Sequence, residues 1–457
     1  MPANRATAIV LFGPSLRLQD NSALNAAFQQ GYKVIPLFCF TPEQADPKKN
    51  AYFAAPAFGF MCETLRELAG PNGPLLLAAG DTIRILGSIV RAPSRAVSAV
   101  FENIDVTPYA RERSKRIQAF AKKAGILYSG HEDVDIIRVS DEGLRENGEP
   151  YRVFTAYYNN LIKTYEVRKP FTLTGEFVSI PISKEFELSH ATLDKFIATY
   201  VLPEASVHGG RKEAMKRLRK LSSVLPGYGK DRDIPSKEHG TSRLSAAISF
   251  GVLSVREVAW KSFDTLGGPK ENPFFRELVF RSFYYHNTYH GFTPNPAFDL
   301  VPYRKTSREW NAFLRGESGF PIVDAAVRCL YRTGFMHGRL RMIVATFVVR
   351  GLGIWWRVGE RWFANHLIDY DPTSNGLGGW QWANSSGPSA PPYFRVIVPD
   401  IQTKRFDPDR EFIKKWLPAD YNFPPVIDYA ARVRESTAAI KAALADSRGS
   451  HANSRGS

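Results

Sequence analysis

Five short apolar runs are spread through the first 130 residues, and helical patterns fill the gaps between them. The runs are TAIVLF, VIPLFCF, GPLLLAAG, AVSAVFEN and GILYSG, and FAAPAFGFMCETLREL is one of the helical patterns. Short strands alternating with helices point to a parallel sheet covered by helices on both faces, because parallel neighbours need a crossover connection. No G-x-G-x-x-G follows the first run, so nothing marks this sheet as a dinucleotide site. The rhythm is lost over TYEVRKPFTLTGEFVSIPISKEFELSH, which reads as a linker crossing the surface. Helical periodicity dominates from residue 204, through GGRKEAMKRLRKL, PFFRELVFRSFYYH, PIVDAAVRCLYRTG and RMIVATFVVRGLG.

The fold class expected is therefore an α/β N-terminal domain, a doubly wound parallel sheet, followed by a large all-α domain. The boundaries expected are 1–135 for the first domain, 136–203 for the linker and 204–440 for the helical domain. Residues 446–457, which repeat SRGS, are expected to be a disordered tail. At 457 residues the chain is too long for one ordinary core. No apolar run approaches the ~18 residues a membrane span needs, and the first residues leave no room for a signal peptide, so an intracellular protein is expected. Cys39, Cys62 and Cys329 are scattered, which argues against a disulfide framework or a four-cysteine metal site. A net charge of +15 favours a polyanionic partner, nucleic acid first, with solubility alone as the simpler reading.

Four stretches concentrate chemistry. In GYGKDRDIPSKEHGTSRLSAAISFG, Thr241 or Ser242 can cap the helix that follows, either as a plain cap or leaving N–H groups for an anion. In FFRELVFRSFYYH, Glu277 and Arg281 stand four apart, beside Phe274, Phe280 and Tyr284; an ordinary ion pair among core aromatics is the simpler reading. In TGFMHGRLRM, His337 and Arg341 share a helix face. An arginine near a core needs an acceptor, and Asp369 and Asp371 downstream offer one. No ligand spacing there supports a metal. Finally, five of the eight tryptophans lie between residues 355 and 382, a pattern that suits core packing, base stacking or electron hopping.

Taken together, these stretches resemble the DNA photolyase/cryptochrome family over nearly the whole chain. The resemblance rests on FGPSLRLQDNSAL, GEPYRVFTAYY, GTSRLSAAISFGVLS, the long run from GFPIVDAAVRCLYRTGFMHGRLRM to WRVGERWFANHLIDYDPTSN, then GGWQWANSSG, PYFR and RFDPDREFIKKWLP. Within the family the chain looks most like a class I cyclobutane pyrimidine dimer photolyase. That likeness implies a U-shaped FAD in the helical domain, active when reduced and anionic. By position, Tyr228, Thr241, Ser242, Arg243, Leu244 and Ser245 would hold its phosphates and ribose. Phe274, Arg281, His337, Arg341, Asp369, Asp371 and Asn375 would line its ring and sugar. Asn375 would face the ring nitrogen, and Trp380 and Trp356 would belong to an electron-carrying chain.

The activity implied is light-driven splitting of a flipped-out pyrimidine dimer in UV-damaged DNA. Glu277 would contact the pyrimidine edge, Met342 would pack on the dimer, and Trp382 and Phe280 would wall the pocket. Arg232, Arg339, Arg395, Gln402 and Arg405 would grip phosphates. A monomer with access to DNA and no membrane attachment is expected.

The chain departs from the family pattern in several places. Phe313 stands where relatives carry the outer tryptophan of the chain, with Trp355 or Trp310 as substitutes. NGLGGW carries one residue more than the usual spacing before Trp380. Gly338 replaces the asparagine of class I enzymes and the histidine of (6-4) photolyases; glycine cannot shuttle a proton, which disfavours (6-4) repair. IDVTPYARER lacks the acidic residue of folate-binding relatives and Phe58 replaces a common arginine, so a weak or absent antenna chromophore is expected. The alternative reading is a cryptochrome-like photoreceptor without repair.

Overall fold

The computed structural model describes residues 6–71, 73–92 and 97–453. Strands β1 (Thr7–Phe12), β2 (Lys33–Phe40), β3 (Leu76–Ala79), β4 (Val97–Ile104) and β5 (Leu127–Glu132) form one sheet in the order β3-β2-β1-β4-β5. All pairings are parallel; Ile9 of β1 lies opposite Ile35 on one side and Val100 on the other. Ala8, Ile9 and Val10 are all fully buried, which explains the continuous apolar run: both faces of the central strand are covered. The helix Ala55–Leu68 falls where its pattern places it, with Phe58, Cys62 and Leu65 turned into the core.

The stretch between the domains carries more structure than the lost rhythm suggested. It holds the helices Phe154–Thr164 and His190–Tyr200, and Phe177 and Glu187 bridge to Val34 and Ala78 of the sheet. The final helix, Tyr429–Asn453, runs into the stretch expected to be a tail, in keeping with its alanine-rich composition. Residues 454–457 lie outside the described residues.

Buried charges join the two domains. Both oxygens of Asp133 are occupied: Arg17 donates at 2.5 Å, Ser15 at 2.6 Å, Arg256 at 2.7 Å and Ser22 at 2.8 Å. Asp20 accepts from Arg168 at 2.6 Å and from Arg256 at 2.8 Å. Burial opposes ionisation of Asp133, yet the guanidinium groups of Arg17 and Arg256 hold its carboxyl well below the usual carboxylate range. Arg256 is fixed by its helix Val255–Leu266, which opens on a capping box between Ser254 and Glu257. Among the described residues no helix is long and apolar enough to cross a membrane, and no cluster of metal-ligating side chains is found.

Candidate flavin and lesion cavity

Three helical segments and one loop build the site. The helix Pro273–Tyr289 starts at Asn272, whose side chain accepts the Phe275 N–H, with Pro273 at the first position. The helix Pro321–Thr333 stops at Gly334, whose φ of 68° only glycine adopts without strain. The chain then turns through Phe335 and Met336 into the helix Gly338–Thr346, with His337 as its cap. The third segment, Thr373–Trp380, is a π-helix. NGLGGW, the stretch expected to carry an extra residue, falls within this π-helix, whose turns hold more residues than α turns.

These elements enclose a cavity of about 520 Å³. Tyr228, Thr241, Arg341 and Asn375 border it, and so do Arg232, Glu277, Phe280, Arg339, Met342 and Trp382. The structure thus brings four of the residues expected at a cofactor and six of those expected at a lesion into one space, whereas Leu244, Ser245, Phe274, Arg281, Asp369 and Asp371 do not border it. A second cavity of about 650 Å³ shares Thr241 and adds Ser242, Arg243 and His337.

Arg341, which borders the cavity, is held from behind: its Nη2 donates to both oxygens of Asp369, at 2.9 and 2.8 Å, while its Nε donates to the Met336 carbonyl. Asp371 accepts the Tyr285 hydroxyl at 2.6 Å and the Thr373 and Ser374 N–H groups at 2.9 Å. It fixes the start of the π-helix, and Asn375 donates back to its carbonyl. Phe274 packs edge-on against Tyr228, ring centres 5.2 Å apart. Phe280 stacks on Phe154.

Several expectations need correction. Neither Thr241 nor Ser242 caps a helix: the helix is only Ser245–Ser249, its cap position is the buried Leu244, and no side chain caps it. Ser242 instead accepts the Leu244 N–H, and Arg243 adopts a left-handed φ of 50°. Glu277 and Arg281 do not pair. Arg281 donates to the Val134 carbonyl at 2.7 Å and lies over the Tyr285 ring, drawn toward the N-terminal domain, while Glu277 forms its salt bridge with Arg232.

Arg395, Gln402 and Arg405 do not border the cavity. Arg405 and Arg339 nonetheless flank one ring, Phe406, at 5.0 and 4.3 Å. Trp380 is fully buried and also stands outside the cavity; Phe363 borders it and meets the Trp380 ring at 4.9 Å. A Cβ on Gly359 would fall 2.1 Å from that indole, so the helix carrying Trp356 can approach Trp380 only with glycine there. Phe313 is fully buried between Trp310 and Trp362, ring centres 5.1 and 5.0 Å away. Trp362 in turn donates to the Tyr331 hydroxyl. Nothing lies within 4 Å of a Cβ built on Gly338, so the cavity has room at that position.

The polar atoms test whether an anionic cofactor suits this space. The His337 Nδ1 accepts the Arg339 N–H at 3.2 Å, which places the ring proton of the neutral form on Nε2. Burial and the Arg243 charge push its pKa down to about 4, so the neutral form prevails at neutral pH. Its Nε2 is buried with no partner, and so is Arg243 Nε beside it. Buried donors without acceptors are costly in a finished core. Both border the cavity of Thr241 and Ser242, and phosphate or ribityl oxygens are the acceptors they lack. The residues present fit FAD.

Sequence reasoning missed Asp233, Ala345, Phe363, Ser374, Gly378 and Gly379, which also line the cavity beside Tyr284. Asp233 adjoins Arg232 in KDRD, and that adjacency was the available signal. For Gly378 the signal was glycine richness: a Cβ there would fall 2.5 Å from the Tyr284 ring.

Comparison with known proteins gives the same picture. A family model described as DNA photolyase matches residues 8–173, and one described as the FAD binding domain of DNA photolyase matches residues 274–445. The deoxyribodipyrimidine photo-lyase of Escherichia coli is 34% identical over 435 residues, covering 90% of this chain and 89% of that protein. An archaeal photolyase from Sulfolobus tokodaii, solved with two FAD molecules, superposes with a TM-score of 0.80 at 30% identity, covering 95% of this chain and 99% of that one. A cryptochrome from Synechocystis shares the fold, with a TM-score of 0.82 at 21% identity over 95% of this chain and 99% of that one.

Proposed function

Because the chain belongs to the DNA photolyase family, with the FAD-binding domain of that family in its helical half, we propose that it repairs cyclobutane pyrimidine dimers in UV-damaged DNA using light. The observation that carries the reading is the single cavity in which the flavin-side residues Arg341 and Asn375 meet Glu277, Phe280, Met342 and Trp382. Reduced FAD, when bound there, supplies on excitation the electron that opens the dimer.

The chain's own residues do the rest. Arg243 and His337 would offer buried donors to the cofactor's oxygens, and Arg341, held by Asp369, would offer it a fixed positive charge. Phe280, Met342 and Trp382 give an apolar slot for a flipped dimer, whose poor stacking lowers the flipping cost to a few kcal/mol or less. Glu277 faces the pyrimidine edge, where its carboxylate can accept a ring N–H. Arg232 and Arg339 at the rim engage phosphates and position the duplex without reading sequence. Such a protein works inside the cell, where it reaches DNA. Gly338 offers no acid or base, which sets this cavity apart from one built for (6-4) products.

The test is direct. Purified, flavin-loaded and reduced protein is mixed with an oligonucleotide carrying one thymine dimer and exposed to blue light. Dimer loss in the light and none in the dark is expected. No loss in either condition would leave the photoreceptor reading, and loss of a (6-4) product instead would move the lesion assignment.

A further inference from the structure

Four charged side chains at the rim of the cavity form two pairs. Arg232 bridges Glu277, with side chains 34% and 39% exposed. Arg339 reaches Asp233 at 2.9 Å, with 18% and 35% exposed. Arg232 and Asp233 are chain neighbours, whereas Glu277 and Arg339 belong to the helices Pro273–Tyr289 and Gly338–Thr346. All four border the same space. Each guanidinium also lies over an aromatic ring, Arg232 over Tyr228 at 5.8 Å and Arg339 over Phe406 at 4.3 Å. The ring holds the arginine in place and leaves the carboxylate as its exchangeable partner. To a guanidinium, carboxylate and phosphate present similar paired oxygens.

We propose that Asp233 and Glu277 stand in for DNA phosphates, holding Arg339 and Arg232 until backbone phosphates displace them, and that this displacement frees Glu277 to bind the lesion. The proposal rests on reading the cavity as a lesion pocket and assigns the two acids different duties. Asp233 borders the cavity as Glu277 does, but it adjoins Arg232 on the phosphate-gripping rim and is assigned no base, so its loss of a partner weakens binding of damaged and intact DNA equally. Glu277, once displaced, faces the cavity. A flipped pyrimidine offers it a ring N–H; an intact duplex, which inserts no base, offers nothing. Breaking the Arg232 pair is therefore offset only by damaged DNA, and Glu277 becomes the discriminating residue. Both pairs are part-exposed, so each effect is modest.

The experiment measures dark binding of two duplexes, identical except for one thymine dimer, across a salt series. Flavin-loaded wild type, Asp233→Asn and Glu277→Gln are compared, with flavin content and melting temperature as folding controls. Asp233→Asn is expected to tighten both duplexes by one common factor, about 2- to 5-fold. Its plot of log Kd against log salt is expected to be steeper by about 0.9, since one arginine now enters the complex without an internal counter-ion. Glu277→Gln is expected to tighten the intact duplex by a similar factor while weakening the damaged one.

If Asp233→Asn, folded and loaded, leaves binding of intact DNA unchanged or weaker, the counter-ion role is overturned; Asp233→Ser serves if the asparagine variant does not fold. If Glu277→Gln shifts both duplexes alike, the discriminating role is overturned. A wild type that binds both duplexes equally removes the lesion reading instead, and the effect of Asp233→Asn on intact DNA still decides the counter-ion role.

Discussion

Two groups of charges in this molecule use the same residue types to opposite ends. Between the domains, Asp20 and Asp133 have fully buried side chains, and their oxygens are taken up by Arg17, Arg168 and Arg256. Around the two cavities that share Thr241, Asp233 and Glu277 of one are more than a third exposed, and the buried donors Arg243 Nε and His337 Nε2 of the other have no partner. In the first group the carboxylate oxygens are all paired within the protein, although Arg17 Nε and Arg168 Nη2 have no partner, and the group holds two domains together. In the second the unpaired donors border an open cavity, where a ligand can supply acceptors. A buried ion network is evidence of architecture, whereas unpaired buried donors beside an open space are evidence of function.

The comparison breaks most severely at Asp133. Asp133→Ala leaves Arg17 and Arg256 buried without their shared counter-ion, and a loss of about 3–5 kcal/mol in unfolding free energy is expected from denaturant titration. A loss comparable to a surface substitution would show that the two groups are not different in kind.

A second probe is Glu360, buried beside the π-helix, where a Cβ on Gly376 would fall 2.7 Å from its oxygen. Burial pushes its pKa from 4.5 up to about 7. Its contribution to stability is fully present below pH 4.5 and is lost as pH rises through 7. Across that window the ionised form costs up to about 3 kcal/mol. Glu360→Gln should flatten the decline in melting temperature between pH 4.5 and 7; an unchanged profile would remove Glu360 as its source.

The smallest expected effect is at Gly338. Asparagine fits the open space there and would add one donor to the cavity, worth about 0.5–1.5 kcal/mol. Gly338→Asn should tighten binding of dimer-containing DNA by about 2- to 10-fold and leave intact DNA unaffected.

Local pattern made the sheet and most helices legible, because buried strands and amphipathic helices write their environment into consecutive residues. The Arg341–Asp369 bridge was legible from the need of a buried arginine for an acid. What failed was pairing by proximity in sequence. Arg281 stands one helical turn from Glu277 yet bonds to Val134 in the other domain, because that carbonyl lies where the helix packs. Glu277 finds Arg232, 45 residues away, and Arg339 finds Asp233. Such pairs depend on how the elements pack, which no window of sequence contains. The cap expected of Thr241 or Ser242 failed because a five-residue helix gave it almost nothing to cap. The glycine richness of NGLGGW was visible, but the π-helix it forms was not.

The measurement that separates the two groups most directly is FAD titration of the apoprotein, read by flavin fluorescence and melting temperature, for wild type and Arg243→Ala. Wild type should take up one FAD in the helical domain with a rise in melting temperature. Arg243→Ala should keep the apoprotein's melting temperature within a few degrees of wild type, since it gives up only the contact with the Phe335 ring, while losing affinity about 10-fold or more, as expected for a donor left unpaired until the ligand binds. A variant that destabilises the apoprotein as much as Asp133→Ala does, or that binds FAD as tightly as wild type, would contradict the account.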